Sequence, residues 1–350
     1  MIEVATSDGI ERISDDALVA DPSPLVPWLD EQLGGLSLPL KLEKVVGGSS
    51  NSLLKITRGD QLFALRRPPA VSNDRTSHNI ARELQLARAL KHTDVPHPRL
   101  VEGTTEPNWI GGPFIVMHWI NGFTPRDPMP GLFASDPAHR RALGDAVIDS
   151  LATVASVDWQ DLGLDDFGKP DGFLDRQVDR WVTQFERNKV RDLNDMDAIV
   201  AWLRENRPAS FRPALMHGDY SFANVMIAPE LPARVAAVID WELATIGDPL
   251  LDLGHLLSSW EDAKSGPTWA HYIDWSAMRS RGEAADRYAE ASGRSVDNLS
   301  FYIVLALFRL AVILEGSFGR HVRGLSDNPR HAAFETRVPD ILRQAIRSLD

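Results

Sequence analysis

Apolar positions alternate along the first third of the chain and recur every three or four residues along the rest, which predicts a sheet-rich region followed by a helical one. Leu25, Trp28, Leu29 and Leu33 fall at helical spacing before Gly34-Gly35, a helix that stops on glycine. Residues 40–46, 53–57 and 61–67 have strand-like patterns. A helix over 77–92 follows, carried by Ile80, Leu84, Ala87 and Leu90, and Val95-Pro96-His97-Pro98 breaks it. Residues 100–102 and 113–119 complete a predicted five-stranded sheet.

Past residue 121 helical spacing dominates. Asp136-Pro137 supplies a cap and a proline at the first helical position of a helix running through Leu143, Val147, Leu151 and Val154. Leu174, Val178, Trp181 and Phe185 mark another, and Met196, Ile199, Val200 and Leu203 a third. Trp269, Tyr272, Trp275 and Met278 predict a helix by the same rule, as do Ile303, Leu307, Leu310 and Leu314, with a stop expected at residues 316–320. A terminal helix is expected to open at Pro339 and reach Leu349. Residues 1–22 are polar and acidic and read as an arm.

Composition narrows the possibilities. With 37 basic and 49 acidic residues the net charge is −12, which argues against a nucleic-acid partner. There is no cysteine, so thiolate catalysis and zinc-thiolate sites are excluded. The first residues have neither a basic nor an apolar leader pattern, and the apolar run 301–314 is interrupted by Arg309 and shorter than the ~20 residues of a membrane span. The expectation is a cytoplasmic protein without a membrane partner. Acids outnumber bases over 127–207, which fits either solvated helix faces or the lining of an acidic pocket.

The chemistry concentrates between residues 216 and 253. His217-Gly218-Asp219-Tyr220, Asn224, Ile239-Asp240-Trp241-Glu242 and Gly247-Asp248-Pro249 with Asp252 set polar side chains at the ends of short apolar runs. Phosphoryl transfer asks a protein for a positioned acceptor oxygen, Mg2+ to neutralise phosphate charge, and exclusion of water. Asp219 suits the acceptance or orientation of a hydroxyl proton. Asn224 and Asp240 offer the hard oxygen ligands that Mg2+ prefers. His217 reads as scaffold, Glu242 as structural or acting through water, and Asp252 as a ligand of backbone or of the catalytic loop.

The ordered set resembles the aminoglycoside phosphotransferase family of kinase-like enzymes, and within it the branch similar to the phosphotransferase domains fused to acyl-CoA dehydrogenases. Weaker matches lie in Gly47-Gly48-Ser49-Ser50-Asn51 and in Leu65-Arg66-Arg67-Pro68-Pro69. The resemblance implies an α+β, bilobal protein-kinase-like fold with a small antiparallel-sheet N-lobe and a mainly helical C-lobe. It divides the chain into an arm and short helix (1–35), a nucleotide-binding N-lobe (36–120) and a helical C-lobe with catalytic loop and acceptor site (121–350).

The resemblance also implies roles. Gly48, Ser49, Ser50 and Asn51 would lay backbone N–H groups against the phosphates of ATP, although taken alone the loop reads as a hairpin turn. Alternation puts Ala64 and Arg66 on one strand face, where Arg66 stands in the place of the kinase lysine and keeps the charge with a different reach. Glu83 would be its partner, and Arg67 would be a solvated edge charge. Backbone groups of Met117 to Trp119 would meet the adenine edge. The activity implied is transfer of the γ-phosphate of ATP, with Mg2+, to a hydroxyl of a small molecule. The acceptor could be an aminoglycoside, a hydroxyacyl thioester, a sugar or an amino alcohol. The competing reading is a non-catalytic nucleotide-binding or adaptor protein of the same fold. The absence of an Ala-Pro-Glu segment after Asp240 argues against a protein kinase.

Overall fold

The computed structural model describes residues 4–5, 10–12, 23–34, 38–45, 52–68, 74–125, 129–270, 272–326 and 328–349. The chain forms two compact units: residues 1–121 with 237–242, and residues 122–236 with 243–350. The second passage through unit 1 carries Asp240.

Unit 1 contains β1 (Val4–Ala5), β2 (Ile10–Arg12), α1 (Leu25–Leu33), β3 (Leu40–Lys44), β4 (Ser52–Arg58), β5 (Gln61–Arg67), α2 (Asp74–Leu90), β6 (Leu100–Thr104) and β7 (Phe114–His118). The sheet order is β1-β2-β3-β4-β5-β7-β6. The five strands expected from the sequence are antiparallel, and β2 joins their edge in parallel with β3. Part of the segment read as an arm is therefore strand. Its short polar runs lack the alternation by which β3 to β5 announce themselves.

Alternation decides which face each strand residue serves. Phe63 and Leu65 of β5 pack with Leu25, Trp28 and Leu29 of α1 and with Phe114 and Val116 of β7. The Trp28 ring meets Phe114 edge-on at 4.8 Å, the offset that aromatic quadrupoles favour. The same period places Arg67 on this inner face, where it is 8% exposed. The expected solvated edge charge is thus a buried cation. Arg58 is buried on the same side and pairs with Asp30 of α1. The opposite face is covered by α2, whose Ile80 and Leu84 pack on Ile115 and Leu100. Ile115 lies opposite Arg66 in the β5–β7 register, so Arg66 faces α2. Gly34 adopts φ 65 at the end of α1, the left-handed cap a glycine allows.

Unit 2 contains α3 (Gly131–Ser135), α4 (Pro137–Ala155), α5 (Phe173–Asn188), α6 (Met196–Glu205), β8 (Ala214–Met216), β9 (Val225–Ile227), the start of β10 (Val235–Val238), β11 (Thr245–Gly247), α7 (Leu250–Ser259), α8 (Arg281–Ser292), α9 (Leu299–Val322) and α10 (Phe334–Ile346). The Asp136 carboxylate accepts the Ala138 N–H at 2.8 Å and opens α4 as its sequence predicts. Helix α9 is the axis, packed by α5, α6, α7 and α10. Its Leu305, Leu307 and Phe308 are fully buried, each stabilising the fold by about 1.5–3 kcal/mol. Among the described residues α9 is the helix long and apolar enough to cross a membrane, and 67% of its most apolar window is buried inside the structure.

Three helical expectations are corrected. The aromatic period of residues 269–278 is not a helix. Turns run there, Thr268 and Asp262 bind local backbone, and Trp275 packs edge-on against Phe222 at 5.3 Å, so the spacing reflects packing around a turn. Helix α9 does not stop at residues 316–320. Gly316 and Gly319 lie inside it, and a Cβ on Gly319 would stand 2.7 Å from the Asn188 carbonyl oxygen, so this glycine permits close approach rather than termination. Pro339 sits within α10 rather than at its start.

A proline at 339 cannot donate to the Glu335 carbonyl. Arg191 supplies the missing donor: Nη1 reaches Glu335 O at 2.6 Å and Nη2 reaches Phe334 O at 3.2 Å. The same guanidinium pairs at 2.9 Å with Glu315, which is wholly buried in α9. One side chain thus satisfies a broken helix and a buried carboxylate together. Several acids of the 127–207 segment are also partnered, among them Asp145 with Arg279 at 2.5 Å, Asp149 with Arg287 at 2.6 Å and Asp179 with Arg204 at 2.7 Å. Paired helix faces account for that part of the acidic excess.

Candidate active site

The residues singled out by sequence divide between the units, and each half has its own geometry. Gly48, Ser49, Ser50 and Asn51 lie outside the described residues.

In unit 1, Arg66 and Glu83 are brought together. Arg66 Nε lies 2.9 Å from Glu83 Oε2 and its Nη2 3.1 Å from Oε1, a two-pronged pair between β5 and α2. The same Nη2 donates to Asp240 Oδ1 at 2.8 Å, and Glu242 Oε2 stands 3.7 Å away. Residues 237–242 are anchored to this unit by Val238, whose N–H donates to Pro96 O at 2.8 Å. Asp240 follows with φ 68, a left-handed backbone that aspartate tolerates better than most residues. Its side chain remains 35% exposed.

Three carboxylates thus share one guanidinium. Burial pulls the Arg66 pKa down, but Glu83, Asp240 and Glu242 outweigh it and hold the cation above its ordinary range. Burial first, and then the charges of Asp240 and Glu242, push Glu83 up to about 7 against the attraction of Arg66. Fully ionised, the cluster has more negative than positive charge, and Glu83 relieves the excess by holding a proton more readily than an ordinary glutamate.

At the end of β7 the His118 N–H donates to Arg99 O at 2.8 Å and the Trp119 N–H to Leu62 O at 3.0 Å. Those two N–H groups are spent on the sheet, so an adenine edge here must be met by other backbone groups. The Met117 position pairs with Ala64 across the ladder. Lys55 lies over the Trp119 ring at 5.3 Å.

In unit 2 the residues of the expected catalytic loop are pinned from several directions. The Asp252 carboxylate, buried in α7, accepts the His217 N–H at 2.5 Å and the Gly218 N–H at 2.8 Å. This is the backbone clamp expected of Asp252. Gly218 adopts φ +85, and a Cβ there would stand 2.4 Å from Leu243 O. Its carbonyl accepts from Arg309 Nη2 at 3.1 Å, which gives the buried stretch of α9 a reason to carry a cation. Tyr220 is buried and donates to Val147 O of α4 at 2.7 Å. His217 is fully buried, and its Nδ1 accepts the Asp219 N–H at 3.3 Å, a scaffold role.

Asp219 and Asn224 are joined by the five-residue spacing between them. Asn224 Nδ2 donates to Asp219 O and to Asp219 Oδ2, both at 2.9 Å. The amide spends its N–H groups on the aspartate, and its oxygen is left uncommitted among the described residues, the kind of donor Mg2+ takes. No cluster of three His, Asp or Glu ligands occurs among the described residues. Magnesium does not require one, because water and phosphate fill most of its shell.

His255 joins the site without any motif that announces it. Its Nε2 lies 3.2 Å from Asp219 Oδ1, and its ring is tilted 30° to Trp269 with centroids 6.1 Å apart. Burial raises the Asp219 pKa, but the hydrogen bond and charge of His255, then the charge of His217 and the Asn224 amide, bring it below the ordinary aspartate range. Asp219 is therefore an anion at neutral pH, with its side chain 47% exposed. One signal could have found His255: it follows Asp252 by three residues on α7, so a helix whose aspartate grips the loop presents it on the same face.

Comparison with known proteins runs through both halves. The profile of the phosphotransferase enzyme family matches residues 41–293. Acyl-CoA dehydrogenase family member 11 of Homo sapiens is 31% identical over 314 residues, covering 87% of this chain and 40% of the human protein. Family member 10 of Mus musculus is 31% identical over 292 residues, covering 82% of this chain and 27% of its own length. The chain thus spans less than half the length of these relatives. Among solved structures, a Ralstonia eutropha protein assigned to the aminoglycoside phosphotransferases superposes with TM-score 0.82 at 29% identity, covering 94% of this chain and 98% of its own. An ethanolamine kinase of Plasmodium vivax shares the fold with TM-score 0.55 at 11% identity, covering 89% and 81%. Since the family match takes in the arginine–glutamate pair, the aspartate–asparagine loop and the second aspartate alike, the chain belongs to the phosphotransferase enzyme family, with its kinase-like α+β fold.

Proposed function

We propose that the protein transfers the γ-phosphate of ATP to a hydroxyl group of a small molecule. Asp219 orients the acceptor hydroxyl and takes its proton. Asn224 and Asp240 would hold Mg2+, which would supply neutralisation of phosphate charge when bound. Arg66, braced by Glu83, faces the phosphates, and the segment around Met117 to Trp119 faces the base.

The observation that supports this reading most is the state of Asp219. It is a half-exposed carboxylate, anionic at neutral pH, held by donors on both oxygens and open on its remaining lone pairs. A fixed anion with low basicity suits phosphoryl transfer through a loose transition state, in which the hydroxyl is aligned first and surrenders its proton late. The uncommitted oxygen of Asn224 and the partly exposed carboxylate of Asp240 suit the metal.

The acceptor is tested by incubating the protein with Mg2+-ATP and a panel of aminoglycosides, hydroxyacyl thioesters, sugars and amino alcohols. The reading expects acceptor-dependent ADP release with a stoichiometric phosphate ester from one class. Nucleotide binding without turnover on any class would favour the adaptor reading.

A further inference from the structure

We propose that His255 is a positioning residue for the phosphotransfer step: its Nε2–H fixes the Asp219 carboxylate in the orientation that receives the acceptor hydroxyl. The inference rests on the phosphotransferase reading and adds a residue to it.

The geometry has three parts. Asp219 is tied at one oxygen by Asn224 Nδ2 at 2.9 Å and at the other by His255 Nε2 at 3.2 Å, so neither its rotation about Cβ–Cγ nor its tilt is free. A carboxylate anion offers only acceptors, so the nitrogen facing it must carry the hydrogen, which fixes the imidazole protonated at Nε2. The imidazole is itself held. It projects from α7, whose Asp252 grips the backbone at His217 and Gly218, and its ring rests against Trp269, whose Nε1 donates to Ser258 at 3.3 Å. One helix therefore holds the catalytic loop twice, by backbone through Asp252 and by side chain through His255.

The consequence is a division of labour across the carboxylate. Asn224 is also the proposed metal ligand, so its amide must serve the cation and Asp219 together. Among the described residues the polar contact of the His255 side chain is with Asp219, and it keeps the carboxylate aligned whichever way the amide adjusts. A hydroxyl docking on Asp219 then meets a lone pair that already points outward. No proton passes to His255: the hydroxyl proton moves to Asp219, and the Nε2–H bond remains a donor throughout. Misplacing a catalytic group by as little as 1 Å costs on the order of 100-fold in rate, so losing one of two tethers should be visible in kcat.

Two measurements test this. In protein labelled with 15N-histidine, the His255 ring should carry its hydrogen at Nε2, with that proton in the downfield region of a charge-assisted bond, and Asp219→Ala should abolish that signal. Kinetically, His255→Leu should lower kcat for ADP release roughly 10–100-fold, with water or the best acceptor of the panel, and leave KM for ATP unchanged. His255→Gln, which keeps an N–H donor, should recover most of the loss. An unprotonated Nε2, a proton unmoved by Asp219→Ala, or His255→Leu turning over within twofold of the wild type would overturn the proposal. An intact Nε2–H bond in a wild-type protein that releases no ADP at all would instead reject the phosphotransferase reading beneath it.

Discussion

The two half-sites treat charge in opposite ways. Around Asp219 the anion is well supplied with donors: both carboxylate oxygens have one, the His217 and Gly218 N–H groups have Asp252, and the carboxyl is held below its ordinary range. Around Arg66 demand exceeds supply, because three carboxylates crowd one guanidinium and Glu83 is pushed up to about 7. The first arrangement is held by donors on several sides, the pre-organisation that the proposed role of Asp219 needs. The second is short of positive charge. The difference suggests that unit 2 is built to hold an atom in place and unit 1 to respond to a cation.

The largest effect should follow from breaking the satisfied side. Asp252→Ala strands two buried N–H groups and removes the countercharge nearest Arg309, so a loss of about 3–5 kcal/mol is expected in urea denaturation. A loss under about 1 kcal/mol would mean that the loop is held by something other than this carboxylate.

The unsatisfied side should show itself in pH dependence. Glu83 is protonated more readily in the folded protein than in the unfolded chain, so the folded state binds more protons between the ordinary glutamate range and pH 7. Its contribution to stability is therefore present at low pH and declines by roughly 2–3 kcal/mol as pH rises through that window. Glu83→Gln should flatten this decline in denaturation curves collected from pH 4.5 to 7.5. Asp219 has the opposite sign: its contribution is present above the ordinary aspartate range and is lost only as pH falls below it. A variant that left the slope between pH 4.5 and 7 unchanged would show that Glu83 is an ordinary ionised partner of Arg66, and the contrast would fall.

The sheet was legible because alternation has only two faces to choose from: Phe63 and Leu65 predict an inner face and Ala64 and Arg66 an outer one. The same rule, applied one residue further, would have buried Arg67, where the charge of the side chain obscured its position. Helix boundaries were less legible. Gly319 and Pro339 are breakers by local preference, and each is overruled by a tertiary partner that sequence does not show, Asn188 for the glycine and Arg191 for the proline. Asp219, Asn224 and Asp240 were nominated because their spacing carries chemistry, whereas His255 is in the site through the packing of α7 and has no spacing rule of its own apart from its distance to Asp252.

The central claim is that Asp219 performs the chemistry of a nucleotide-dependent phosphotransfer and is not required for nucleotide binding. Asp219→Ala, compared with the wild type in ADP release and in calorimetric titration with Mg2+-ATP, tests it directly. The account predicts kcat reduced about 100- to 10,000-fold with the dissociation constant for Mg2+-ATP changed less than threefold. Turnover at the wild-type rate in that variant would contradict it.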